Sequence, residues 1–129
     1  EAVKVVHNET PGAKITKVTI LTNQNKFSEL EDALEELGIT GITVTNVFGY
    51  GAQKGHGIYF RGNPVGSRLL PKIKIDIVIC KIPVETLVKT VQETLYTGNI
   101  GDGKVFIYDV EDVVKIRSGE RGYDALHDE

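Results

Sequence analysis

The sequence predicts an α+β domain of the ferredoxin-like type: a βαββαβ sandwich with a long mobile loop between strands 2 and 3 and a short extra C-terminal strand. Three observations predict it. Two stripes of apolar residues at helical spacing are separated by β-branched runs, in the order β-α-β-β-α-β. The run Lys72–Cys80 alternates, with Ile73, Ile75, Ile77 and Ile79 on one face, as a sheet covered on one side requires. Finally, 129 residues with 40% hydrophobic and 26% charged side chains have room for one core and no second domain.

Each element has its own signal. Residues 1–13 read as an appendage: Val3, Val5 and Val6 suit a short strand, and His7 to Gly12 a loop. The domain proper is expected over 14–129. Ile15, Thr16, Val18, Thr19 and Ile20 mark a strand over Ile15–Leu21. Phe27, Leu30, Leu34 and Leu37 form one helical stripe, with a predicted capping box of Ser28 and Glu31 and a stop at Gly38. Ile42–Phe48 is β-rich. Pro83 stands where a second helix starts, and Val84, Leu87, Val88, Val91 and Leu95 give its apolar face until Thr97-Gly98. Val105–Tyr108 is the fourth strand and Val113–Ile116 the short fifth.

Two features ask for more than a bare monomer. Val105 and Ile107 oppose Phe106 and Tyr108, so both faces of the fourth strand want cover and helices supply only one. A partner subunit is the expected source. The connection from Tyr50 to Pro71 exceeds the roughly 12–15 residues beyond which loops are usually functional, and its glycines suit movement.

Charge and composition exclude several classes. A net charge of −3 gives no basic face for nucleic acid. The lone Cys80 excludes an internal disulfide and a cysteine-based zinc site, and reads as a small core residue. No apolar run reaches the roughly 18–20 residues of a membrane span, and no secretory signal is visible, although the chain starts at Glu1 without Met. A cytoplasmic location without direct membrane insertion is the expectation.

The segment Thr97-Gly98-Asn99-Ile100-Gly101-Asp102-Gly103-Lys104 carries the most chemistry. Its glycines let backbone N–H groups approach an anion, and Lys104 adds a positive charge. A plain helix-to-strand turn explains the same residues. Lys115 and Arg117 alternate with Val114 and Ile116, which would project both cations from one face of the last strand, toward a polyphosphate or simply into solvent on a charge-protected edge.

These blocks, with Gly49-Tyr50-Gly51-Ala52-Gln53-Lys54-Gly55-His56, Leu70-Pro71-Lys72-Ile73-Lys74-Ile75-Asp76 and Lys115-Ile116-Arg117-Ser118-Gly119-Glu120-Arg121-Gly122, make the sequence resemble the PII signal-transduction proteins. The spacing agrees without gaps over about Lys14 to Leu126. The resemblance implies a homotrimer that binds ATP and ADP in clefts between subunits. Thr43, Asp76, Ile77 and Val78 would surround adenine and ribose, with Gly51 and Ala52 at the loop base. Gly101, Asp102, Gly103 and Lys104 would cradle phosphates, completed by Lys115 and Arg117 across the subunit boundary. It further implies 2-oxoglutarate chelated with Mg²⁺-ATP at Gln53, near Lys54 and Gly55 and paired with Lys72. The loop, through Tyr59 and Arg61, would meet a target protein, such as a membrane transporter or a metabolic enzyme.

The departures matter as well. Ala52 stands where the family usually has arginine, and Asn23-Gln24 where it has Lys-Pro, so two cations are missing beside the anion site and a weaker hold on 2-oxoglutarate is expected. Val65 and Asn63 replace the tyrosine and serine that some members modify, so neither covalent switch can operate there. Tyr59 and Ser67 read as generic loop residues. The expected function is therefore a regulator that reads ATP against ADP by occupancy alone. An enzyme is the competing class, a slow ATP hydrolase with Asp102 near the phosphates as general base or water-orienting carboxylate. A purely structural trimer of the same fold would lack the Lys104, Lys115 and Arg117 cluster. His7 has no visible metal partner, His127 falls in a ragged tail, and His56 at the loop base could approach a ligand or, as is usual in a glycine-rich loop, face solvent.

Overall fold

The computed structural model describes residues 14–50, 59–60, 63–64 and 69–126. Along the chain run β1 (Ile15–Thr22), α1 (Phe27–Glu36), β2 (Ile42–Gly49), β3 (Tyr59–Phe60), β4 (Asn63–Pro64), β5 (Leu70–Ile79), α2 (Val84–Leu95), β6 (Lys104–Val110) and a 3₁₀ helix (Gly122–Leu126). β2, β5, β1 and β6 form one antiparallel sheet in that order, and among the described residues β3 pairs with β4 alone. This is the predicted ferredoxin-like α+β arrangement. Much of the predicted loop, including 51–58, 61–62 and 65–68, lies outside the described residues, as do the expected appendage 1–13 and His127.

Alternation decides which face is covered. Val18 and Ile20 of β1 and Ile73, Ile75, Ile77 and Ile79 of β5 are buried against Leu30 and Leu34 of α1 and Leu87, Val91 and Leu95 of α2. Each such side chain contributes roughly 1.5–3 kcal/mol by leaving water. The two central strands therefore carry the core, and β2 and β6 are edges. Among the described residues neither α1 nor α2 packs on the other sheet face.

Two details differ from expectation. The Ser28–Glu31 capping box does not form: α1 begins at Phe27, Lys26 is its N-cap, and no side chain caps it. Packing of Phe27 against the core draws the first turn ahead of Ser28. At the other end Gly38, at φ +85°, donates to the Glu35 carbonyl and Ile39 to that of Leu34, a Schellman stop as predicted.

The expected strand Val113–Ile116 is instead one side of a tight, self-closed turn with a single bridge, Val114 to Arg121. The Lys115 N–H donates to the Glu120 carbonyl at 2.8 Å and that of Gly119 to the Lys115 carbonyl at 2.7 Å. Ser118-Gly119 folds the segment back before a strand can develop, and Arg121 clamps it through Nε and Nη2 to Asp112, at 2.8 and 2.7 Å. Hydrogen bonding to Arg121 holds the Asp112 carboxyl below the usual carboxylate range.

Leu87 has no exposed surface. Leu87→Ala is expected to lower stability by about 2–5 kcal/mol, read as a lower urea midpoint with an unchanged slope.

Candidate functional site

The glycine-rich loop after α2 is seated on the end of β1. Lys104 opens β6 opposite Leu21, and Gly98, Gly101 and Gly103 before it have φ of +86°, +109° and +109°. Gly103 is sterically obligatory, because a Cβ there would stand 2.1 Å from the Leu21 carbonyl oxygen. The buried Thr22 hydroxyl donates to the Asp102 carbonyl at 2.8 Å, and Asn23 Nδ2 to that of Gly101 at 3.2 Å.

Asp102 ties the loop from inside. Its carboxylate accepts the Thr97 N–H at 2.7 Å, the Gly98 N–H at 3.0 Å and the Thr97 hydroxyl. Hydrogen bonds from the Thr97 hydroxyl and then its N–H hold the Asp102 carboxyl below the usual range. A carboxylate so engaged closes the loop on itself. Between the loop and the β1–α1 turn opens a cavity of about 780 Å³, lined by Asn23, Lys26, Thr97 and Asn99 among others. Lys104 lines a smaller one of about 330 Å³ with Gln92, Tyr96 and Gly103.

The uncovered sheet face gathers the second group. Cross-strand register puts Thr43, Asp76, Thr19 and Phe106 in one row, and Thr45, Lys74, Leu21 and Lys104 in the next. The Thr19 hydroxyl donates to Asp76 Oδ1 at 2.6 Å, with Lys17 and Lys74 at 3.8 and 4.0 Å from the same carboxylate. Lys17 also lies over the Tyr108 ring, 5.3 Å from its centroid. Phe106 and Tyr108 are 42% and 48% exposed, so this face carries apolar surface beside its charges.

Of the residues singled out from sequence, Thr43, Asp76, Val78, Lys72 and Lys104 therefore share the uncovered face. Ile77 does not: its side chain is 1% exposed beneath the helices, leaving only its main chain for any ligand. Lys115 and Arg117 do not project together from a strand face, because the segment is a turn. Lys115 is buried and paired with Glu120 at 3.3 Å, whereas Arg117 is exposed. Hydrogen bonds from Ser118 and then Lys115 keep the Glu120 carboxyl below the usual range. Gly51, Ala52, Gln53, Lys54, Gly55, His56, Arg61 and Ser67 lie outside the described residues. Sequence reasoning gave no part to Thr19, Thr22 or Lys17; alternation could have put Thr19 and Lys17 on one face, but nothing local points Thr22 at a loop 80 positions away.

Among the described residues no His, Cys, Asp or Glu cluster is placed to hold a metal, and no helix is long and apolar enough to cross a membrane. Fold and site together define a ferredoxin-like sandwich with a glycine loop docked on its central strand and one sheet face left open. The family model of nitrogen regulatory protein P-II matches residues 15–120. The nitrogen regulatory protein P-II of Rhodospirillum rubrum is 44% identical over 110 residues, covering 85% of this chain and 98% of that protein. Among solved structures, the B. subtilis GlnK–ATP complex superposes with a TM-score of 0.74 at 36% identity, covering 89% of this chain and all of that one. Arabidopsis thaliana PII bound to citrate gives 0.69 at 35% identity, covering 89% and 94%. The chain belongs to the P-II family of nitrogen regulatory proteins, whose work is signal transduction.

Two measurements check the loop. Gly103→Ala is expected to expel the loop from the end of β1, seen as changed amide shifts across 97–104 and a lower melting temperature, because both the φ and the 2.1 Å approach forbid a side chain. The depressed Asp102 carboxyl implies stability present above the unfolded value of 3.8 and lost as pH falls through the lower folded value. Asp102→Asn should remove that part of the acid-side dependence.

Proposed function

We propose that this chain is a cytoplasmic, homotrimeric P-II regulator that binds ATP and ADP and passes occupancy to a partner protein. The observation that carries the reading is the seated loop. Gly101, Asp102 and Gly103 hold a fixed backbone curve next to Lys104, which is what a polyphosphate needs from a cradle of N–H groups and one cation. The likeness to the GlnK–ATP complex supports the choice of nucleotide. Thr43, Asp76 and Val78 stand on the adjoining open face, where base and ribose would lie, and the Ile77 main chain beside them.

Residues 14–129 act as one domain in this reading and 1–13 as an appendage. The exposed Phe106 and Tyr108 support association through the helix-free face, since apolar surface of this kind is normally covered. Trimerisation would bring Lys115 and Arg117 to a neighbour's phosphates. The 50–71 connection, with Gly51 and Ala52 at its base, would change arrangement with the γ-phosphate and meet the target through Tyr59 and Arg61, the target being a transporter or a metabolic enzyme. Mg²⁺ and 2-oxoglutarate would engage Gln53, Lys54, Gly55 and Lys72, weakly, because Ala52 and Asn23 supply no charge there. A hydrolase reading has less support, because Asp102 spends its carboxylate on Thr97 and Gly98.

Titration calorimetry with ATP, with ADP, and with Mg²⁺-ATP plus 2-oxoglutarate tests the proposal. Heat is expected with both nucleotides and only a small further effect from 2-oxoglutarate; no heat with either nucleotide would overturn it. Lys104→Ala should weaken ATP by about tenfold, the usual cost of one charge-assisted contact. Light scattering should give the mass of three chains.

A further inference from the structure

We propose that Thr22 and Asn23 are positioning residues that aim the loop's N–H groups, a neutral clamp working through hydrogen bonds alone. The inference rests on the reading above, that Gly101 to Lys104 meet a nucleotide phosphate. A trans peptide points its C=O and N–H in opposite directions. With the Asp102 carbonyl held by Thr22 Oγ1 at 2.8 Å, the N–H of Gly103 faces away from β1. With the Gly101 carbonyl held by Asn23 Nδ2 at 3.2 Å, the N–H of Asp102 turns the same way. Among the described residues that N–H meets the Asn99 carbonyl at 3.4 Å, longer than an ordinary N–H···O bond, so it can exchange that contact for a better acceptor at little loss.

The anchor is rigid. Thr22 is 2% exposed and ends the central strand, and Leu21 before it fixes the distance of closest approach to Gly103. Two successive peptides are thus oriented by side chains that bring no charge to the site. The geometry assigns to Thr22 and Asn23 what electrostatic attraction supplies elsewhere: a cradle already shaped before the anion arrives.

The test uses the full chain and compares Thr22→Val, which keeps the volume and removes the hydroxyl, with Thr22→Ser, which keeps the hydroxyl. Affinities for ATP and for inorganic tripolyphosphate are measured by calorimetry, and the 101–103 amide shifts are recorded without ligand. Thr22→Val is expected to bind both probes about tenfold more weakly and to move those amides, whereas Thr22→Ser stays within about twofold with unchanged shifts. A merely structural hydroxyl would lower the melting temperature and leave affinity alone. Unchanged affinity in Thr22→Val, with wild-type protein binding ATP, overturns the inference and leaves the nucleotide reading standing. Failure of the wild type to bind either probe overturns both. Should Thr22→Val not fold, Asn23→Leu replaces it with the same two readouts, and unchanged affinity there overturns the proposal equally.

Discussion

The arrangement depends on one close contact, the Gly103 backbone against the carbonyl oxygen of Leu21. No other residue type fits, and the contact is made at the end of β1, a strand paired on both sides, with β5 and with β6. Val18 and Ile20 bury that strand's helix side completely, or nearly so. The stiffness of the loop is therefore borrowed from the hydrophobic core: close-packed interiors resist small displacements, and the loop is bonded to the strand they hold. Surface loops are more often mobile, and this one is tied at Thr22, Asn23 and Asp102.

The fold was legible because burial imposes a period. Ile73, Ile75, Ile77 and Ile79 alternate in β5, and the α2 stripe from Val84 to Leu95 repeats at helical spacing, so strand, helix and covered face could all be read. The cap of α1 could not, because tertiary packing of Phe27 outweighed the local capping chemistry of Ser28 and Glu31. The C-terminal segment failed for a different reason. Val113 to Ile116 has strand composition, but the Ser118-Gly119 reversal and the Arg121–Asp112 clamp close it on itself.

At the site, legibility followed sequence distance. The glycines of the loop and Lys104 announce themselves within eight consecutive residues. The groups that hold them do not, since Thr19 meets Asp76 across 57 positions and Thr22 meets Asp102 across 80. A threonine in a β-rich run is ordinary, and only strand register makes these two particular. Alternation already put Ile77 with Ile73, Ile75 and Ile79 on the covered face; it was the resemblance that carried it to a ligand beside Asp76 and Val78, and its side chain is buried.

Several of the charges near the site are already engaged. Asp76 stands among Lys17, Lys74 and the Thr19 hydroxyl, and Lys115 is buried against Glu120. A cation count therefore overstates the field at any one point. A buried cation separated from its carboxylate and given nothing in return loses heavily, so Lys115 can approach an anion only as Glu120 yields its place. The pair is built on the turn that ends in the Arg121–Asp112 clamp, so such an exchange would act on the turn as a whole and not on a lone side chain. On the proposed reading, affinity at such a site would be set by the difference between two carboxylate-and-phosphate arrangements, and backbone orientation by Thr22 and Asn23 would carry weight that the number of lysines does not.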